Sequence, residues 1–113
     1  MNNAIFAITA IDMGLGEVLL CSAYFGPQLY GDTLTGTPTV VQKSGDAVIG
    51  LGSASINTGG AVVVDGISRA VSTCVQFTAT VPSNAVIGEN ILTVTAETTD
   101  GNTRKMYCTI RVW

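Results

Sequence analysis

Between residues 91 and 112 the chain carries the pattern that leaves it least choice of fold. Leu92, Val94 and Ala96 alternate with Thr93, Thr95 and Glu97. After Asp100, Gly101 and Asn102 the alternation resumes, with Met106, Cys108, Ile110 and Val112 against Tyr107, Thr109, Arg111 and Trp113. A period of two places one residue set on each face of a strand, so both segments read as half-buried strands. Asp, Gly and Asn tolerate positive φ and close a tight turn between them. The expectation is a hairpin with one apolar face, which must be buried against a second layer.

The rest of the chain can supply that layer. Val75, Phe77, Ala79 and Val81 alternate with Gln76, Thr78 and Thr80, and Pro82 ends the strand by lacking a donor. Segments rich in Val, Ile and Thr at 4–11, 18–23, 33–42, 47–56, 61–64 and 67–71 are separated by Gly, Asn and Asp turns, one of them at 43–46. Residues 57–60 read as an exposed turn, 26–32 as a loop containing Pro27 and Tyr30, and 82–90 as a connection long enough to cross between two sheets. Helical periodicity is almost absent. The expected fold is all-β, an immunoglobulin-like β-sandwich of about seven to eight antiparallel strands. With 113 residues and no visible boundary or repeat, residues 1–113 form a single such domain, residues 1–30 being a separate N-terminal strand and arm region.

Charged residues make up only 12% of the chain against 47% hydrophobic ones, which excludes disorder and suits a surface partly covered by neighbours in an assembly. The net charge of -3 leaves no basic stripe to neutralise phosphates, so nucleic acid is excluded as a partner. No apolar run reaches the roughly 18 residues of a membrane helix, and a membrane is excluded as a partner. Residues 4–11 read as a strand rather than a signal peptide, because no positive residue precedes them and Asp12 and Glu17 follow. Cys21, Cys74 and Cys108 form no CxxC pair, so they read as buried free thiols, with a disulfide between two of them as the alternative. Such usage favours folding in a reducing compartment such as bacterial cytosol.

The sequence also argues against catalysis. It contains no histidine, which removes the commonest general base and metal ligand and any Ser-His or Cys-His triad. Two carboxylates suffice for glycoside cleavage, but Asp32, Asp46, Asp65 and Asp100 all fall in predicted turns, where Asp caps backbone N–H groups. Glu17, Glu89 and Glu97 have no metal spacing. Gly14-Leu15-Gly16 and Gly50-Leu51-Gly52 lack the third glycine and following helix of a dinucleotide site. No catalytic residue, cofactor or metal is expected. Arg104 and Lys105 read as a solvated strand edge. Candidate partner contacts are Tyr24, Phe25 and Tyr30, which flank a loop, and Trp113 on the outer side of the last strand; packing at the core edge is the ordinary reading of each, and a partner-binding anchor the alternative.

The segment GDTLTGTPTV at 31–40, followed by CVQFT at 74–78 and ILTVTAETTDGNT at 91–103, resembles the immunoglobulin-like fiber-tail adaptors and related small virion proteins of tailed phages. The resemblance covers roughly residues 31–112. It implies a non-enzymatic structural protein, repeated in the virion and assembled in the host bacterial cytoplasm, that joins a tail fiber to the tail or neck. Its partners would be fiber, tail or capsid proteins and further copies of itself. Family members often carry an acidic, Trp-bearing stretch before the GDT strand, whereas residues 17–30 here contain no Trp, so the N-terminal part would meet something different. The alternatives are a capsid cement or decoration protein, or an adhesion module of a larger surface protein.

Overall fold

The computed structural model describes residues 4–6, 10–64 and 66–113. Its strands are β1 (Ala4–Phe6), β2 (Ala10–Met13), β3 (Val18–Tyr24), β4 (Leu34–Ser44), β5 (Gly50–Leu51), β6 (Ser55–Ile56), β7 (Val62–Val64), β8 (Ile67–Arg69), β9 (Cys74–Thr80), β10 (Gly88–Thr98) and β11 (Thr103–Val112), with one helical turn, α1 (Gly26–Leu29), after β3. One sheet has the order β1-β3-β9-β5, with β6 also pairing β9 farther along; the other has the order β2-β11-β10-β4; β7 and β8 form a separate hairpin. Two sheets with these neighbours are the layers of an immunoglobulin-like sandwich.

The strands number eleven among the described residues, more than the seven to eight expected. Two segments that look continuous in sequence are divided. Within 4–11 the chain changes sheets: β1 pairs β3, whereas β2 pairs β11. Both pairings are parallel, which corrects the expectation of antiparallel strands throughout. Within 47–56 two short pieces, β5 and β6, share the free edge of β9 on either side of residues 52–54.

The hairpin of β10 and β11 is regular over ten residue pairs, from Gly88 opposite Val112 to Glu97 opposite Thr103. Gly101 turns it at φ +87°, with Gly101 N–H donating to the Thr98 carbonyl at 3.0 Å. Pro38 sits on β4, at the edge of its sheet, where a missing donor costs no ladder bond between central strands. The loop expected at 26–32 contains α1, because Pro27 in the first turn has its φ preset for a helix. Tyr30 closes that turn in the left-handed region at φ 50°.

The core lies between the sheets. From one side come Ala23 paired with Val75, Cys21 with Phe77, and Leu19 with Ala79; from the other, Leu92 paired with Cys108 and Val94 with Met106. Among the described residues Phe25, Phe77 and Met13 are the largest side chains removed from water. Each contributes roughly 1.5–3 kcal/mol by the usual measure of apolar burial. All three cysteines are buried and unpaired.

Two buried asparagines fix the connections. The Asn57 amide donates to the Gly60 and Ala70 carbonyls and accepts from the Thr73 and Cys74 N–H groups. The Asn90 amide donates to the Gly88 and Ile110 carbonyls and accepts from Ala47 N–H and the Gln42 amide. Each is a polar group withdrawn from water with its bonds made inside the protein, as burial requires.

Candidate interaction surface

The strands place different chemistry at the two ends of a molecule 41 Å long. At one end meet α1 and its loop, the β10–β11 turn and the segment from β6 to β9. Asp32 ties two of these together: its carboxylate accepts from Thr33 N–H, Asp100 N–H and the Thr99 hydroxyl. The Thr99 hydroxyl is the main reason its carboxyl is held well below the usual carboxylate range. Tyr30 is 86% exposed, with the Arg104 guanidinium 5.8 Å from its ring centre. The Arg69 guanidinium lies 4.2 Å from the ring centre of half-buried Tyr24 and so fastens β8 to the end of β3. A cavity of about 300 Å³ opens nearby, lined in part by Ile56, Gly60, Val62 and Gln76, but the Asn57 amide that borders it is committed to the backbone.

The opposite end is apolar. Trp113 N–H donates to the Met13 carbonyl, and its ring covers Gly14, where an added Cβ would stand 3.7 Å from the indole. Ile87 immediately precedes Gly88, which pairs with Val112, so the 82–87 connection arrives beside Trp113. The turn that carries Leu15 is bound to the same connection by Gly16 N–H on the Val81 carbonyl and Val81 N–H on the Glu17 carbonyl. Val48 belongs to the link from β4, which Ala47 N–H fastens to Asn90. Leu15, Val18, Val48, Val86, Ile87 and Trp113 are all exposed here, Val48 at 78%, Trp113 at 69% and Ile87 at 67%. So many large apolar side chains at one end of a small domain mark a contact surface.

The four expected partner contacts therefore do not form one surface. Phe25 is corrected outright: it is fully buried and belongs to the core, because the chain turns inward as β3 gives way to α1. Tyr24 is engaged by Arg69. Tyr30 and Trp113 stand at opposite ends of β11, since Arg104 beside Tyr30 is the second residue of that strand and nine residues at about 3.4 Å each separate Arg104 from Trp113, about 30 Å in all. Trp113 is joined instead by aliphatic residues that sequence reasoning assigned to strands or to a connecting loop. The adjacent Val86 and Ile87 within an expected crossing loop were the available signal.

The turn carboxylates are not assembled for catalysis. Asp32 and Asp100 are neighbours at the loop end, whereas Asp46 lies in the link after β4 at the other end. The turn expected at Asp65 falls outside the described residues. Among the described residues no group of three or more His, Cys, Asp or Glu is placed to hold a metal ion. Arg104 is more than a solvated edge, being half-buried with its Nε lacking a hydrogen-bond acceptor.

No family model matches the chain, and neither does any curated protein. Among solved structures, the solution structure of amebosin is similar over the full length of both chains, with a TM-score of 0.52 and 14% identity, a likeness of fold alone. A family 123 glycoside hydrolase from Clostridium perfringens aligns over the whole of this chain and 23% of its own, with a TM-score of 0.46 and 10% identity. The sheet order and the amebosin likeness together give an all-β, immunoglobulin-like sandwich.

Proposed function

We propose that this chain is a non-enzymatic structural module that works by being docked into a larger particle, a phage virion being the kind of particle its sequence resembles. In that setting the sandwich is the rigid body and the Trp113 end is what it offers to a neighbour. The observation that carries this reading is the group of six large apolar side chains exposed at that end, half of the twelve exposed among the described residues. A chain without histidine, in which the Asp32 carboxylate is spent on the Thr33 and Asp100 N–H groups, supports it from the chemical side.

Particle incorporation tests the reading. The chain should be found by mass spectrometry in purified particles from the producing cell, and an Ile87→Ser, Trp113→Ser variant should be lost from them while keeping its thermal transition. Particles that lack the chain, or that take up the variant undiminished, would overturn it.

A further inference from the structure

Charge is distributed unevenly along the molecule, and the unevenness identifies what the apolar end can meet. Asp12, Glu17, Asp46 and Glu89 all lie at the Trp113 end: Asp12 on β2 and Glu89 on β10 flank Arg111 on β11, Glu17 closes the turn from Gly14, and Asp46 follows β4. Arg111 is the only cation among the described residues there, and its guanidinium is bound to Asp12 at 2.9 Å. Lys43 is nearby in sequence, but its ammonium is drawn back over the Tyr107 ring, 5.5 Å from its centre. Among the described residues that end thus holds four carboxylates against Arg111, whereas Asp32, Glu97 and Asp100 toward the other end are matched by Arg69, Arg104 and Lys105. Negative charge is therefore in excess around Leu15, Val48, Val86, Ile87 and Trp113.

We infer that the Trp113 end docks a different protein, through a surface with an apolar centre framed by Lys and Arg. This rests on the docking role proposed above and specifies the partner. An apolar centre supplies the affinity, and complementary charge at the rim supplies rate and selectivity. The same rim repels nucleic acid, anionic lipid and the corresponding end of a second copy, each of which would set negative charge against negative.

Two synthetic amphipathic peptides provide the probe, one alternating apolar Leu faces with Lys and the other identical but with Glu in place of Lys. Titrated into the isotopically labelled chain, the Lys peptide should shift the amides of residues 14–18, 46–48, 86–89 and 111–113. It should bind about tenfold or more tighter than the Glu peptide, and the difference should shrink as salt is raised. A Glu17→Lys, Glu89→Lys variant, both sites exposed, should reverse the preference. Equal affinity for the two peptides, no binding of the Lys peptide, shifts confined to the Tyr30 end, or self-association through the Trp113 end would each overturn the inference. The docking role stands or falls separately, on whether the Ile87→Ser, Trp113→Ser variant is excluded from particles.

Discussion

The side-chain oxygen of Asn57 accepts the backbone N–H of Cys74 at 2.9 Å, across 17 residues of chain. It accepts the Thr73 N–H as well, at 3.0 Å, and the same amide's nitrogen holds the Gly60 and Ala70 carbonyls. One buried side chain therefore fixes both ends of the excursion that carries β7 and β8, and sets where β9 begins.

Replacing it should be costly. Asn57→Ala leaves two backbone donors at the mouth of β9 without acceptors, and each such orphan costs about 1–3 kcal/mol. We expect a loss of about 2–4 kcal/mol in urea unfolding, with amide exchange accelerating first in residues 57–73. A loss below about 0.5 kcal/mol, the range of ordinary surface changes, would show that the amide does not organise this segment.

Gly45 and Asn90 make a second such pair. Gly45 has φ +111°, and a Cβ there would stand 2.7 Å from the Asn90 Cα and closer still to its amide. Gly45→Ala should destabilise by about 1–3 kcal/mol, part from the strained φ and part from displacing the amide that holds Ala47. In a double-mutant cycle with Asn90→Ala the two losses should be less than additive, because the smaller residue at 90 relieves the clash; strict additivity would refute the coupling.

The long alternating strands were legible because burial on one face dictates a period of two: Leu92, Val94, Ala96, Met106, Cys108, Ile110 and Val112 are all buried as their spacing requires. The buried thiols and the capping role of Asp32 also followed from local chemistry. What was not legible depends on partners distant in sequence. The change of sheet within residues 4–11 is decided by which edges of β3 and β11 are free, and the division of 47–56 by how much of β9 remains unpaired. The surface was harder still. Alternation placed Trp113 outside, but nothing local shows that Leu15, Val48 and Ile87 share its end while Tyr30 lies at the other. Phe25 failed for the converse reason, since a loop aromatic beside Pro27 looks exposed until the loop is seen to fold inward.

Asp32 gives the fold a pH-dependent clasp. Its carboxylate is stabilised in the folded state, first by the Thr99 hydroxyl and further by the Thr33 and Asp100 N–H groups, so its folded pKa is depressed. A depressed carboxyl contributes stability that is fully present above the unfolded value of about 3.9 and is lost as pH falls toward the folded one. Amide signals of Thr99 and Asp100 should therefore hold through the ordinary carboxylate range and broaden or shift only well below about pH 4. In Asp32→Asn, which has no charge to lose, the same signals should be insensitive across that window. Equal acid sensitivity in both proteins would place the titration elsewhere.

The thiols report on the core directly. Burial pushes Cys21 and Cys108 up to about 12, Cys21 adding to the rise of Cys108, and raises Cys74 as well. Only the thiolate reacts with an electrophile, and at pH 8 a thiol near 12 is thiolate to about one part in ten thousand. Aromatic disulfide reagents should therefore label none of the three cysteines in the folded protein at that pH, and all three in urea. Labelling should track global opening, so Asn57→Ala should accelerate it in proportion to the stability lost in urea. A cysteine that reacts promptly in the native protein would mean that its strand opens independently of the rest. Cys74, at the start of β9 and held beside the Asn57 clamp, is where such a local opening would appear first.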